Sequence, residues 1–215
     1  MTDKPIIFSA PMILALLSGS KTMTRRVLKP RKMVDHVFLT FSDDYILDPG
    51  NARWLRDCHG FVRGDRLWVR ENFAHVPASA YRASTGVHQT LDPTDSDMAA
   101  IYAAGWERSA PRWKPSIHMP RWASRITLIV EGVKVERMQD ISEADAQAEG
   151  IGQYARDGLW TWAPPGMSST GWHTARGAFD ALWTSIHGPD AWAANPWVAA
   201  ITFEVLRENI DARQF

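Results

Sequence analysis

The chain has 215 residues, 45% of them hydrophobic and 22% charged, and its 24 basic and 24 acidic side chains leave no formal net charge. That balance excludes a long non-specific nucleic-acid footprint, which needs a basic domain. No apolar run approaches the roughly 18 residues of a membrane span, and the single cysteine, Cys58, excludes both an intrachain disulfide and a zinc site built on paired cysteines.

The opening Met-Thr-Asp-Lys-Pro lacks the regions of a signal peptide, so a cytoplasmic protein without a membrane partner is expected. Ile6-Ile7-Phe8 predicts a short strand. Ala10 to Gly19 carries Met12, Ile13, Leu16 and Leu17 at helical spacing, with Gly19 as the stop. Lys21-Thr22-Met23-Thr24-Arg25-Arg26 follows at once. It sets an amine, two hydroxyls and two guanidiniums within six residues. A lysine close to a hydroxyl is one way to activate a nucleophile, and nearby guanidiniums favour a neutral lysine and stabilise an oxyanion. The plainer reading is a solvated basic run that complements a helix C-terminus, continued by Lys29, Arg31 and Lys32.

Val34 to Phe41 reads as a weak strand and Asp48-Pro49-Gly50-Asn51 as a turn. Gly64-Asp65 turns into a strand over Arg66 to Glu71. Residues from about 75 to 120 are rich in Pro, Ser, Asp and Gly and read as a loop-rich insertion in a single domain spanning 1–215. Ile126 to Met138 is the clearest strand, with Gly132 as a candidate bulge or bend. Ser142-Glu143-Ala144-Asp145 matches a capping box, opening a short helix that ends at Gly150. Residues 151–170 read as a loop or irregular hairpin with Pro164-Pro165-Gly166 at its tip. Thr174 to His187 is an amphipathic helix with Phe179, Leu182, Trp183 and Ile186 on one face, and Trp197 to Val205 closes the chain as a period-2 strand. The order points to α+β with a small, curved or closed sheet.

Lys-Thr-x-Thr-x-Arg at 21–26, Gly-Asp-x-Leu-x-Val at 64–69, Ile-Ser-Glu-Ala-Asp-Ala-x-Ala-Glu-Gly at 141–150 and Asn-Pro-Trp-Val at 195–198 resemble the ASCH domains of the PUA-like superfamily. Trp113 to Arg125 is similar to larger members from phages and prophages. The resemblance implies a small PUA-like β-barrel with a few flanking helices. One bacterial member is a metal-independent amidohydrolase that removes acyl groups from the exocyclic nitrogen of cytidine. Carried over, its catalytic set is Lys21, Thr24 and Glu149, with Arg26 and Thr22 near the substrate. Arg25 stands where that enzyme has an apolar residue, a charge expected to bear on substrate choice. No cofactor is implied, and the partner is a nucleoside or modified base.

Trp68 is a candidate to stack on a pyrimidine, or a core residue. Glu71 is a second acidic candidate, or else a partner for Arg66 or Arg70. His59, His118 and His173 show no metal-ligand spacing. The competing function is a PUA-like RNA-binding module or ribonuclease making a short RNA or single-stranded DNA contact through the basic stretch and Arg121-Trp122-Arg125.

Overall fold

The computed structural model describes residues 2–28, 40–48, 50, 59–156, 158–167 and 171–212. In chain order its elements are β1 (Asp3–Ile7), α1 (Ala10–Ser18), β2 (Met23–Val27), α2 (Asp43–Leu47), β3 (Arg66–Arg70), β4 (Phe73–Pro77), β5 (Thr90–Asp92), β6 (Asp95–Tyr102), β7 (Thr127–Arg137), α3 (Glu143–Ala148), β8 (Gly152–Arg156), β9 (Leu159–Ala163), α4 (Ala175–His187) and β10 (Trp197–Leu206). The class is mixed α+β, mostly sheet with few helices, and no sheet closes into a barrel among the described residues. No helix among them is long and apolar enough to cross a membrane. Of the strand expected over Val34 to Phe41 only Thr40 and Phe41 are described, and neither is in a strand; Val34 to Leu39, Cys58 and the basic residues Lys29, Arg31 and Lys32 lie outside the described residues, as do Pro49 and Asn51 of the expected turn.

The chain divides into two compact units. One comprises Met1–Gly19, Asp65–Ile129 and Glu204–Phe215, the other Ser20–Gly64 and Val130–Phe203.

In the first unit β1 runs parallel to β3, and β3 pairs antiparallel with the start of β7. Helix α1 buries Met12, Ile13, Ala15 and Leu16 and stops at Gly19, whose φ of 79° suits a residue without Cβ. The segment read as loop carries a second sheet, in the order β4-β6-β5. Its central strand escaped the sequence because Asp95-Ser96-Asp97 looks like a turn and Ala99-Ala100 has low strand propensity. Pairing on both edges holds β6 in place, and Ala99 to Ile101 are fully buried.

In the second unit the strand order is β7-β10-β2, with Thr24 opposite Ile201 and Arg26 opposite Ala199. Strand β7 runs unbroken through Gly132. Strands β8 and β9 form a regular hairpin where a loop or irregular hairpin was expected: Arg156 pairs with Leu159, and Gly158 between them has φ 79°. The Pro164-Pro165-Gly166 turn therefore follows β9 and is not the tip. In α4, Phe179, Leu182 and Trp183 are buried as the period requires, whereas Ile186 is 59% exposed. The last turn of α4, residues 185–187, is exposed throughout, so Ile186 finds nothing to cover it.

Helix α4 starts on two caps. Thr174 Oγ1 accepts from Gly177 N at 3.0 Å, and Glu143 of α3 accepts from Ala175 N at 2.8 Å and from Arg176 N at 3.3 Å. A carboxylate there satisfies orphan donors and complements the helix dipole. Glu143→Ala is expected to lower stability by about 1 kcal/mol, read as an earlier urea midpoint with unchanged slope. An unmoved midpoint would show that this cap contributes nothing.

Candidate functional site

Local backbone structure in the second unit fixes both ends of the Lys21–Glu149 pair. Helix α3 opens as the capping box requires, with Ser142 Oγ accepting from Asp145 N at 3.0 Å. It closes in a Schellman motif: Gly150 N donates to Gln147 O at 2.8 Å and Ile151 N to Ala146 O at 3.3 Å, with Gly150 at φ 99°. Glu149 is the C-cap, held by its own N–H on Asp145 O at 2.9 Å. Facing it, Thr22 N donates to Ala148 O at 2.8 Å, Thr22 O accepts from Phe203 N at 3.0 Å, and Lys21 forms an isolated antiparallel bridge with Glu149.

Lys21 Nζ then donates to Glu149 O at 2.9 Å and to Glu149 Oε2 at 2.5 Å. Lys21 and Glu149 are 2% and 3% exposed. A buried charge survives only when paired and hydrogen-bonded, and this one has both kinds of partner. Burial pushes the Lys21 amine below its ordinary proton affinity. Glu149 pulls the other way, and Arg26 and Arg25 add to the lowering.

Arg25 is the hub of the site. Its Nε and Nη2 donate to Glu136 Oε1 at 3.0 and 2.6 Å, Nη2 also to Asp145 Oδ2 at 2.8 Å, and Nη1 to Glu149 Oε1 at 3.3 Å. The charge expected to bear on substrate choice is thus taken up by three carboxylates. Lys134 joins from β7, 2.7 Å from Glu136 Oε2 and 3.1 Å from Asp145 Oδ2. Burial works against the ionised Asp145 carboxyl, but Lys134 and Arg25 hold it below its usual range.

Thr24 is buried on β2 at 5% exposure and Arg26 is half-buried beyond it, while the Thr22 side chain is exposed. Burial lowers the Arg26 guanidinium and Glu149 opposes that. Successive strand residues point to opposite faces, so Thr24 and Arg25 leave β2 on opposite sides.

The remaining candidates belong to the first unit. Trp68 is half-buried on β3 between Pro5 and Thr127, with the Arg70 guanidinium 5.3 Å from its ring centre. Glu71 pairs neither with Arg66 nor with Arg70. Arg66 is engaged by Asp3, and Arg70 Nε by Ser116 O. Glu71 instead receives a fork from Arg125, at 2.8 and 2.9 Å, and is 2% exposed. Burial pushes its carboxyl up, with Arg125 opposing. Arg121 is taken by Asp3 and Asp211 at 2.5 and 2.6 Å, and Trp122 packs on the cluster of Phe73, Tyr102 and Met119. Among the described residues no group of three His, Cys, Asp or Glu side chains is placed to hold a metal ion.

Glu136 and Asp145 were missed in the sequence. The available signal was Lys134-x-Glu136, two opposite charges on the face of β7 that carries Leu128 and Val130. Comparison of the chain with protein-family models, curated proteins and solved structures gives no match.

Proposed function

We propose that this protein is an ASCH-type, PUA-like amidohydrolase that removes acyl groups from the exocyclic N4 of cytosine or cytidine derivatives without a metal. The observation that carries this reading is the buried Lys21–Glu149 pair, a lysine shifted toward its neutral form against a carboxylate 2.5 Å away. An acylated cytosine amine is a reactive amide, because the departing nitrogen is conjugated with the ring. Hydrolysis needs a base, a proton donor and an oxyanion site.

In one form Thr24 Oγ1 attacks the acyl carbon as Lys21 takes its proton, and Arg26 meets the oxyanion. The C–N4 bond breaks as that proton reaches N4 through Glu149. Water then releases the acyl group as a carboxylic acid and restores Thr24. In the other form Lys21 and Glu149 activate a water that attacks the acyl carbon directly, the proton it gives up reaches N4 as the C–N4 bond breaks to leave the carboxylic acid, and Thr24 only hydrogen-bonds. The opposite facing of Thr24 and Arg25 on β2 favours the second form. With both members of the pair almost unexposed, turnover begins with a local opening of the pair to substrate.

The test is cytidine release from N4-acetylcytidine in the presence of EDTA. Wild type is expected to turn over, and Lys21→Ala and Glu149→Ala to lose at least about 100-fold. Thr24→Ala abolishes turnover in the first form and retains most of it in the second. No turnover with N4-acetylcytidine, N4-acetyldeoxycytidine or N4-benzoylcytosine would sink the proposal and leave an RNA-binding module or ribonuclease as the reading to pursue. Against that alternative, Arg121 and Arg125 already hold acidic partners. RNA binding would weaken steeply with salt, while turnover of a neutral nucleoside would not.

A further inference from the structure

The ion pairs around Arg25 form one connected chain of alternating sign. It begins at Lys134, whose side chain is 55% exposed, and passes to Glu136 and Asp145. Both meet Arg25, whose side chain has no exposure, and Arg25 meets Glu149. Glu149 meets Lys21, the far end of the chain of pairs, with 2% of its side chain exposed.

We propose that Arg25 is a positioning residue for Glu149, and that the chain beginning at Lys134 sets the charge state of Lys21. The inference rests on the amidohydrolase reading only for its catalytic meaning.

A guanidinium is a rigid planar fork. Glu136 occupies Nε and Nη2 of Arg25, and Asp145 also takes Nη2, so the direction of Nη1 is fixed. The Phe179 ring of α4 lies 5.9 Å from the guanidinium carbon. Nη1 therefore reaches Glu149 Oε1 from one direction, and Oε2 is left to Lys21. That division keeps one carboxylate oxygen on a permanent cation and the other on the titrating amine.

Among the described residues the other charged groups facing this pair are few. Strand β2 adds Arg26, and α4 adds His187, whose proton affinity burial lowers with help from Arg26. Glu143 is engaged by the N-terminus of α4 and Asp180 accepts from Thr184 Oγ1. The β10 segment from Trp197 to Phe203 carries no charge. Between Glu136, Arg25, Glu149 and Lys21, all largely buried, a charge acts through low dielectric and little salt, while the half-exposed Lys134 is felt through the two carboxylates it neutralises. Changing Lys134 or Glu136 therefore alters the field at Lys21 without touching it.

The test follows lysine 13Cε resonances against pH in the full chain, with Lys21 assigned by its absence in Lys21→Met. Lys134→Met removes a positive charge, so protonated Lys21 is favoured and its midpoint rises by about half a pH unit or more. Glu136→Gln removes a negative charge and lowers the midpoint. The acid limb of kcat/KM for N4-acetylcytidine moves with each, which a merely structural ion cluster would not produce. Lys134→Met changes an exposed side chain, so the decisive variant keeps its fold. A Lys21 midpoint unmoved by Lys134→Met, or shifted the same way by both variants, overturns the proposal. The resonances report Lys21 without turnover. An inactive wild type with the two opposite shifts therefore overturns the amidohydrolase reading and supports the coupling.

Discussion

Arg25→Ala is expected to lower the free energy of unfolding by about 3–5 kcal/mol, the cost of leaving buried charges without their partner. Three carboxylates depend on this one guanidinium, and the side chains of Glu136, Asp145 and Glu149 are 8%, 19% and 4% exposed. Lys134 remains on Glu136 Oε2 and shares Asp145 Oδ2, and Lys21 remains on Glu149 Oε2, but Glu136 Oε1 and Glu149 Oε1 lose the cation that Arg25 supplied. The cost lies in stranding the acids and not in the attraction itself, which makes a second expectation. Arg25→Met combined with Glu136→Met should lose less than Arg25→Ala alone, because both members of the closest pair go together. A control stands in the same unit: Arg137 pairs with Asp43 at 2.9 Å, but Asp43 is 51% exposed. Asp43→Ala should cost less than about 1 kcal/mol. Urea unfolding at neutral pH reads all three. An Arg25→Ala loss no larger than the Asp43→Ala loss would show that solvent reaches the cluster and supports its charges.

The elements legible in the sequence were those whose signals are local. Ser142 and Asp145 mark the start of α3 three residues apart, Gly150 marks its end, and Thr174 with the spacing of Phe179, Leu182 and Trp183 marks α4. The alternation in Trp197 to Phe203 marks β10. What failed lacked a local cause. Strand β6 exists because β4 and β5 flank it, and nothing in Asp95 to Tyr102 demands a strand. The turn of the β8–β9 hairpin lies at Gly158, and the more conspicuous prolines drew the expectation six residues too far along.

The site divides in the same way. Lys21 and Glu149 are 128 positions apart, and no spacing rule links them; motif resemblance singled out both. Their contact follows from the Schellman turn and the Thr22 hydrogen bonds, each local in cause but joined only in three dimensions. Arg25 stood out within the Lys21–Arg26 stretch, but Glu136, 111 positions on, had no motif to mark it as the partner. Glu71 found Arg125, 54 positions on, and not the arginines nearest in sequence. Long-range ion pairs are where the sequence was silent, because charge complementarity fits many partners and only the strand register selects one.

The stability of the wild type relative to Lys21→Met is expected to rise with pH and to level off near 10.5, the ordinary value for a lysine. The sign follows from proton counting. Burial, with Arg26 and Arg25, holds the folded-state midpoint of Lys21 below its unfolded value, against the pull of Glu149. Between the two midpoints the unfolded chain binds the extra proton, so stability rises with pH across that window. Below the folded midpoint both states are protonated and the penalty is constant; above 10.5 both are neutral and it is gone. Each unit separating the two midpoints contributes about 1.4 kcal/mol to the climb. Taking the difference between wild type and Lys21→Met cancels most of the other titrating groups, His187 and Glu71 among them. A difference curve that is flat, or falls with pH, would mean that the attraction of Glu149 outweighs burial and that Lys21 is a permanent cation. The catalytic reading depends on the same number. A lysine that acts as base must be neutral, so kcat/KM should climb with pH through the folded midpoint and no other. Unfolding measures that midpoint with no substrate present, and kinetics measures it with no unfolding. Agreement between the two would tie the buried amine to the chemistry. An acid limb elsewhere, with Lys21→Met still active, would assign the base to another group and leave Lys21 as the clasp that fastens β2 to the end of α3.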